Sequence, residues 1–207
     1  MYSDIQRITE LQTTATGKIA SVVLNPCLWA IACYRLGHWL WKNDMMLLPR
    51  VLSVAARMLT GIEIAPSARI GRGLLIVHGS GVAIEAGARI GARATIYQGV
   101  GIGRRYGDRV QDGLPTIGDD VQLFAGAKIL GPITIGGRCR VGANSVVMRS
   151  FPDETTIAGV PAHSVARTDT STTTAAEGML VVANGARQPQ PLQAGAYAFG
   201  QTEASSS

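Results

Sequence analysis

The sequence predicts a mainly β protein: a parallel coil of six-residue repeats, preceded by a small α-helical domain. Two observations carry this expectation. Aliphatic residues fall on a six-residue lattice through the middle of the 207-residue chain, and a stretch with helical spacing comes before them. Composition agrees, because 25 glycines and only 5% aromatics suit tightly turned, repeated backbone better than a helical bundle.

Residues 1–60 read as helical. Ile5, Ile8 and Leu11 have helical spacing, and Leu28, Ile31, Leu36 and Leu40 resume it after Pro26. Pro49 suits the first turn of a last short helix running to Leu59. The longest charge-free apolar run here, Cys27 to Tyr34, is far short of the roughly 20 residues a membrane span requires. Asp4 and Glu10 do not fit an export signal. Stable membrane insertion is therefore not expected, although Trp29, Trp39 and Trp41 lie close enough together for peripheral contact.

Residues 61–167 change period. Ile64, Ile70 and Ile76 are followed by Ile84, Ile90, Ile96 and Ile102, then by Ile117, Leu123, Ile129, Ile135, Val141 and Val147. No helix has a period of six and a plain strand has a period of two. A six-residue unit is one short strand and one turn, and three units close an 18-residue triangular coil. The lattice breaks twice. Extra residues enter at His78-Gly79-Ser80-Gly81, and a loop over 103–116 leaves the coil. Departures from a repeat are where function is usually grafted. Residues 168–207 are rich in Ser, Thr, Ala, Gly and Gln with few anchors, and read as a largely disordered tail.

With 46% hydrophobic and 16% charged residues, global disorder is excluded. The net charge of +5 suits anionic ligands. Nucleic acid is not expected, for want of an aromatic platform or a groove-reading motif. Cys27, Cys33 and Cys139 show no metal spacing, which fits a reduced, cytoplasmic protein and no bound metal. A zinc enzyme on the same coil needs three histidines at coil spacing. Here His38 lies outside the coil and His163 at its end.

The chain resembles the serine acetyltransferase family of the hexapeptide-repeat acyltransferase superfamily. The resemblance runs from Asp4 to Arg167. It rests on Asp4-Ile5-Gln6, Asn25-Pro26 followed by Tyr34 to Trp41, Leu59 to Ile64, Ile76 to Gly79, Tyr97 to Val100, Gly126 to Gly131 and Ala158 to Ala162. It implies a left-handed coil, contrary to the usual right-handed crossover, and an O-acetyltransferase that takes its acetyl group from acetyl-CoA. His78 matches the family's catalytic base and Glu63 its acidic partner. Gly99, Gly126, Ala127 and Lys128 lie in or near stretches matching the cofactor groove, which the family forms between subunits of a homotrimer. In the family a C-terminal isoleucine docks into the next enzyme of cysteine synthesis. This chain ends Ser205-Ser206-Ser207, so that complex is not expected.

The acceptor residues depart from the family. The leader's Asp-Pro aligns with Gln12-Thr13, the Asp before the base with Val77, a coil histidine with Ala65, and the loop histidine with Leu114. Arg109 keeps the role of a loop arginine at shifted spacing, beside Tyr106. The anionic grip on an amino acid's ammonium is thereby reduced. The sequence thus points to a small hydroxyl-bearing acceptor other than free serine. L-serine, with Asp108 or Asp112 regaining the grip, is the close alternative, and a non-catalytic scaffold is a third reading.

Overall fold

A computed structural model describes residues 1–10, 14, 22–105, 107 and 113–165. The tail over 168–207, the leader pair Gln12-Thr13, and the loop residues Tyr106, Asp108, Arg109 and Asp112 lie outside the described residues.

Three helices precede the coil: α1 (Tyr2–Glu10), α2 (Pro26–Lys42) and α3 (Leu47–Thr60). Asn25 caps α2, its Oδ1 accepting the Cys27 amide at 2.9 Å, with Pro26 in the first turn. Gly61 ends α3 in the left-handed region at φ 69°, where a side chain is strained.

The chain then winds into a left-handed β-helix of three flat faces. The first face stacks β1 (Glu63–Ile64), β4 (Ala83–Ile84), β7 (Gly101–Gly103), β10 (Lys128–Leu130) and β13 (Val146–Val147). The second stacks β2 (Arg69–Ile70), β5 (Arg89–Ile90), β8 (Thr116–Ile117) and β11 (Thr134–Ile135). The third stacks β3 (Leu75–Val77), β6 (Thr95–Tyr97), β9 (Gln122–Leu123), β12 (Arg140–Val141), β14 (Thr156–Gly159) and β15 (Ala162–Val165). All pairings are parallel and in register except the closing β14–β15 hairpin, which is antiparallel. Four turns are complete. In the fifth, the second face shrinks to a bridge between Ile135 and Phe151.

The six-residue lattice points inward, as periodicity requires, with Ile64, Ile84, Ile96, Ile117, Leu123, Ile129 and Ile135 all buried. A second inward row stands two residues ahead of it: Ile62, Ala68, Leu74, Val82, Ala88, Ala94, Val100, Val121, Ala127, Ile133 and Cys139. It explains Cys139 as a core residue, whose burial pushes its thiol pKa up.

The leader closes the open rim of the first turn. Backbone groups that would otherwise face a missing turn are met by side chains of all three helices. Ser53 donates to Ile64 O at 3.0 Å and His38 Nδ1 meets Pro66 O at 2.8 Å. Tyr34 donates to Ala68 O and accepts from the Ile70 amide. Arg35 donates to Ile70 O and Gly71 O, Arg7 donates to Gly73 O, and Asp4 accepts from the Leu74 amide. Asp4 is fully buried and pairs with Arg35 through both oxygens at 3.1 Å. Burial alone would raise its carboxyl pKa. The Arg35 hydrogen bonds and charge, the terminal ammonium and the Leu74 amide outweigh that and hold it below its ordinary value. Among the described residues, no helix is long and apolar enough to cross a membrane.

Candidate active site

Each turn has a corner between its third face and the first face of the next turn. In the second and third turns this corner is short, with Gln98-Gly99 and Ala125-Gly126 bending the chain. In the first turn the same corner is His78-Gly79-Ser80-Gly81, which accounts for the first break in the lattice. His78 takes a left-handed φ of 50°, an uncommon conformation for a residue with a side chain. Gly79 is held tightly. A Cβ there would come within 2.5 Å of Ile62 Cδ1, and its amide reaches Cys27 Sγ at 3.4 Å. The extra residues thus push the imidazole out of the coil while the backbone beneath stays fixed.

The His78 ring makes no hydrogen bond or ion pair with another described residue. It lines a concavity of about 460 Å³ with Val77, Leu75, Ile8, Pro26 and Thr60, between the leader and the third face. Val77 packs at the edge of a small cluster of Ile8, Leu28 and Leu75. Val77 is thus an apolar contact that fastens the leader to the coil.

Glu63 lies elsewhere in the chain's network. It projects from the first face, and Arg57 Nη1 donates to its Oε2 at 3.1 Å. It borders a different concavity, with Glu85 and Leu130. Among the described residues no hydrogen bond joins His78 and Glu63; the carboxylate's partner is Arg57.

Three of the four expected cofactor residues do meet. Gly81, Gly99 and Gly126 stack at one edge of the prism, with φ of 75°, 69° and 75°, and Asn144 continues the column at φ 56°. Lys128 donates to Gly99 O beside them. Ala127 is the exception. Its methyl is buried in the second inward row, turned away from the glycine edge. Leu114 is near a different corner, 3.0 Å from where a Cβ on Gly87 would stand, and does not reach the His78 concavity of its own chain. At the root of the loop, Arg104 pairs with Glu85 at 3.0 Å. Reading by sequence missed Asn144. Its signal is position alone, three residues after Val141 on the lattice.

Comparison with known proteins agrees with the coil fold. Residues 115–149 match the family described as bacterial transferase hexapeptide (six repeats). A serine acetyltransferase of Helicobacter pylori strain J99 is 42% identical over 163 residues, covering 79% of this chain and 95% of the relative. The crystal structure of serine acetyltransferase from Brucella abortus superposes with a TM-score of 0.72 at 33% identity, over 79% of this chain and 66% of that one. A serine acetyltransferase solved in complex with CoA superposes with a TM-score of 0.72 at 32% identity, over 79% and 67%. The chain thus spans just under two thirds of the Brucella enzyme. By this identity and coverage the chain belongs to the serine acetyltransferase family, hexapeptide-coil acyltransferases whose acetyl donor is acetyl-CoA.

Proposed function

We propose that this chain transfers the acetyl group of acetyl-CoA to a hydroxyl of a small acceptor, with His78 as general base. The observation that carries this is the widened first corner, which presents an unpaired imidazole to a concavity at the foot of the glycine edge. His78 takes the proton of the acceptor hydroxyl as its oxygen attacks the thioester carbonyl. The tetrahedral oxyanion collapses, the carbon–sulfur bond breaks, and the imidazolium returns the proton to the CoA thiolate. Glu63 would hold the imidazolium only after leaving Arg57. Gly99, Gly126 and Lys128 would border the donor. Three copies of the chain would build the complete groove, bringing Leu114 and the loop of one copy to the corner of the next. A monomeric mass in sedimentation at micromolar concentration would count against that assembly.

Family membership favours L-serine as the acceptor. One specific observation favours a second reading, a larger and less charged hydroxyl acceptor. The packing of Val77 against Ile8, Leu28 and Leu75 leaves the wall beside His78 apolar. A thiol-release assay with acetyl-CoA against L-serine, sugars and amino alcohols separates them. Turnover of L-serine with a millimolar or lower KM supports the first. Turnover of another hydroxyl without serine turnover supports the second. No thiol release with any acceptor overturns both.

A further inference from the structure

The second face carries a feature that its fold does not need. Arg69 on β2 and Arg89 on β5 are register partners on adjacent parallel strands. Strands in a sheet lie about 4.8 Å apart, and like charges so placed repel. Three coil arginines are neutralised: Arg93 meets Asp120, Arg104 meets Glu85 and Arg138 meets Glu154. Arg72 and Arg140 also stand without an ion pair among the described residues, but neither is the register partner of another arginine. Arg69 and Arg89 are exposed and have no hydrogen bond or ion pair among the described residues. A repulsive pair kept without a counter-charge marks a place where a local rule yields to function.

These arginines border a cleft of about 1000 Å³ between the second face and the end of α2. Lys42 adds a third cation, and Trp41 offers a half-buried ring. His38 meets Pro66 O through Nδ1 at 2.8 Å, which puts the proton of the neutral ring on Nδ1 and leaves Nε2 as an acceptor. Asp44, on the same rim and without an ion pair among the described residues, is a second acceptor. The cleft therefore combines paired guanidinium groups, an aromatic face and two acceptors. Paired arginines match the oxygens of adjacent phosphoryl groups. An aromatic face takes a flat ring, and the acceptors take its hydroxyls.

We propose that this cleft binds a diphosphate ester of a hydroxylated ring, as found in nucleoside diphosphates and diphosphate-linked sugars. Arg69 and Arg89 hold the diphosphate, Trp41 packs on the ring, and Asp44 and His38 accept from its hydroxyls. The site is separate from the His78 corner and does not depend on the acyl-transfer reading.

Calorimetric titration of the intact protein and of His78→Ala tests it, with ADP, UDP, UDP-glucose and inorganic pyrophosphate as probes, each with and without saturating CoA. Saturable binding of a nucleotide probe is expected in both proteins. CoA should not displace it, and pyrophosphate should bind at least severalfold more weakly. The double variant Arg69→Gln/Arg89→Gln should weaken binding by roughly tenfold or more. Arg140→Gln, another exposed coil arginine, should leave it unchanged. Tighter binding of UDP-glucose than of UDP assigns the ring site to the sugar, and the reverse order assigns it to the nucleoside. Absence of saturation at millimolar probe, displacement by CoA, or equal affinity in the double variant overturns the proposal.

Discussion

Two edges of the prism use the same backbone conformation and different side chains. Between the second and third faces, the left-handed positions are Gly73 in the first turn, then Arg93, Asp120, Arg138 and Glu154 with φ between 56° and 60°. The four side chains stack outside the coil as alternating charges, Arg93 on Asp120 and Arg138 on Glu154. Between the third and first faces, the equivalent positions are Gly81, Gly99 and Gly126, then Asn144. The first edge shows that this coil accepts side chains at a left-handed corner. Conformation alone therefore does not require glycine on the second edge. What glycine provides there is a smooth strip beside Lys128 that ends at His78, and this is the surface expected to receive the donor.

The largest effect should come from the one side chain that interrupts the smooth edge. His78→Ala should lose on the order of 10²-fold or more in acetyl transfer, with CoA affinity almost unchanged by calorimetry. A variant keeping most of its turnover removes His78 from the mechanism. Transplanting the character of one edge to the other comes next. Gly99→Asn puts a side chain that tolerates left-handed backbone onto the strip. It should raise the KM for acetyl-CoA roughly tenfold, while circular dichroism melting shows little change. The reciprocal Arg93→Gly should leave the KM where it was. Equal effects from the two would mean that the edges do not differ in function.

Gly126 is the stricter position. A Cβ there would stand 2.1 Å from Asn144 Oδ1, against 3.5 Å from the nearest atom at Gly81. Because that oxygen ends a flexible side chain that can turn aside, Gly126→Ala should destabilise by less than about 1 kcal/mol more than Gly81→Ala, read as the difference in unfolding free energy. The leader gives an effect that depends on pH. The Asp4 carboxyl has a lowered pKa in the folded state, so its contribution is present above the ordinary value of 3.8 and is lost as pH falls through the folded value. Asp4→Asn should cost about 2–3 kcal/mol at neutral pH. The gap between the two melting curves should narrow below pH 3.8. The smallest effect belongs to Arg57→Ala. Its exposed pair with Glu63 is worth at most about 1 kcal/mol. Turnover should rise if the released carboxylate turns to His78, and fall or stay level if Glu63 has no part.

The coil was legible because its signal is arithmetic. Isoleucine every six residues survives without knowledge of any contact, and His78 stood out as the place where the count failed. The second inward row was not legible, since its mixture of Ala, Val, Leu and Cys shares only size, so Cys139 and Ala127 could not be placed in the core. The pairing of Glu63 was not legible for another reason: its partner Arg57 arrives from the end of a helix, and no period links the two. The rim contacts of Asp4, Arg7, Tyr34 and Arg35 are invisible in sequence because their partners are carbonyls and amides, which every residue has. Arg69 and Arg89 were countable as charges, yet only the strand register makes them neighbours.

A stack of identical turns has no inherent length, for each turn presents to solvent the same row of donors and acceptors that built it. Two such ends would recognise one another, and copies would add head to tail into fibres. Here the starting end is stoppered by a ring of side chains from the helices, and at the finishing end the third face ends in a strand that runs backwards. The helical leader thus acts as a ruler's zero. It fixes where the count of turns begins and keeps the turn that carries His78 first, in a particle of finite size.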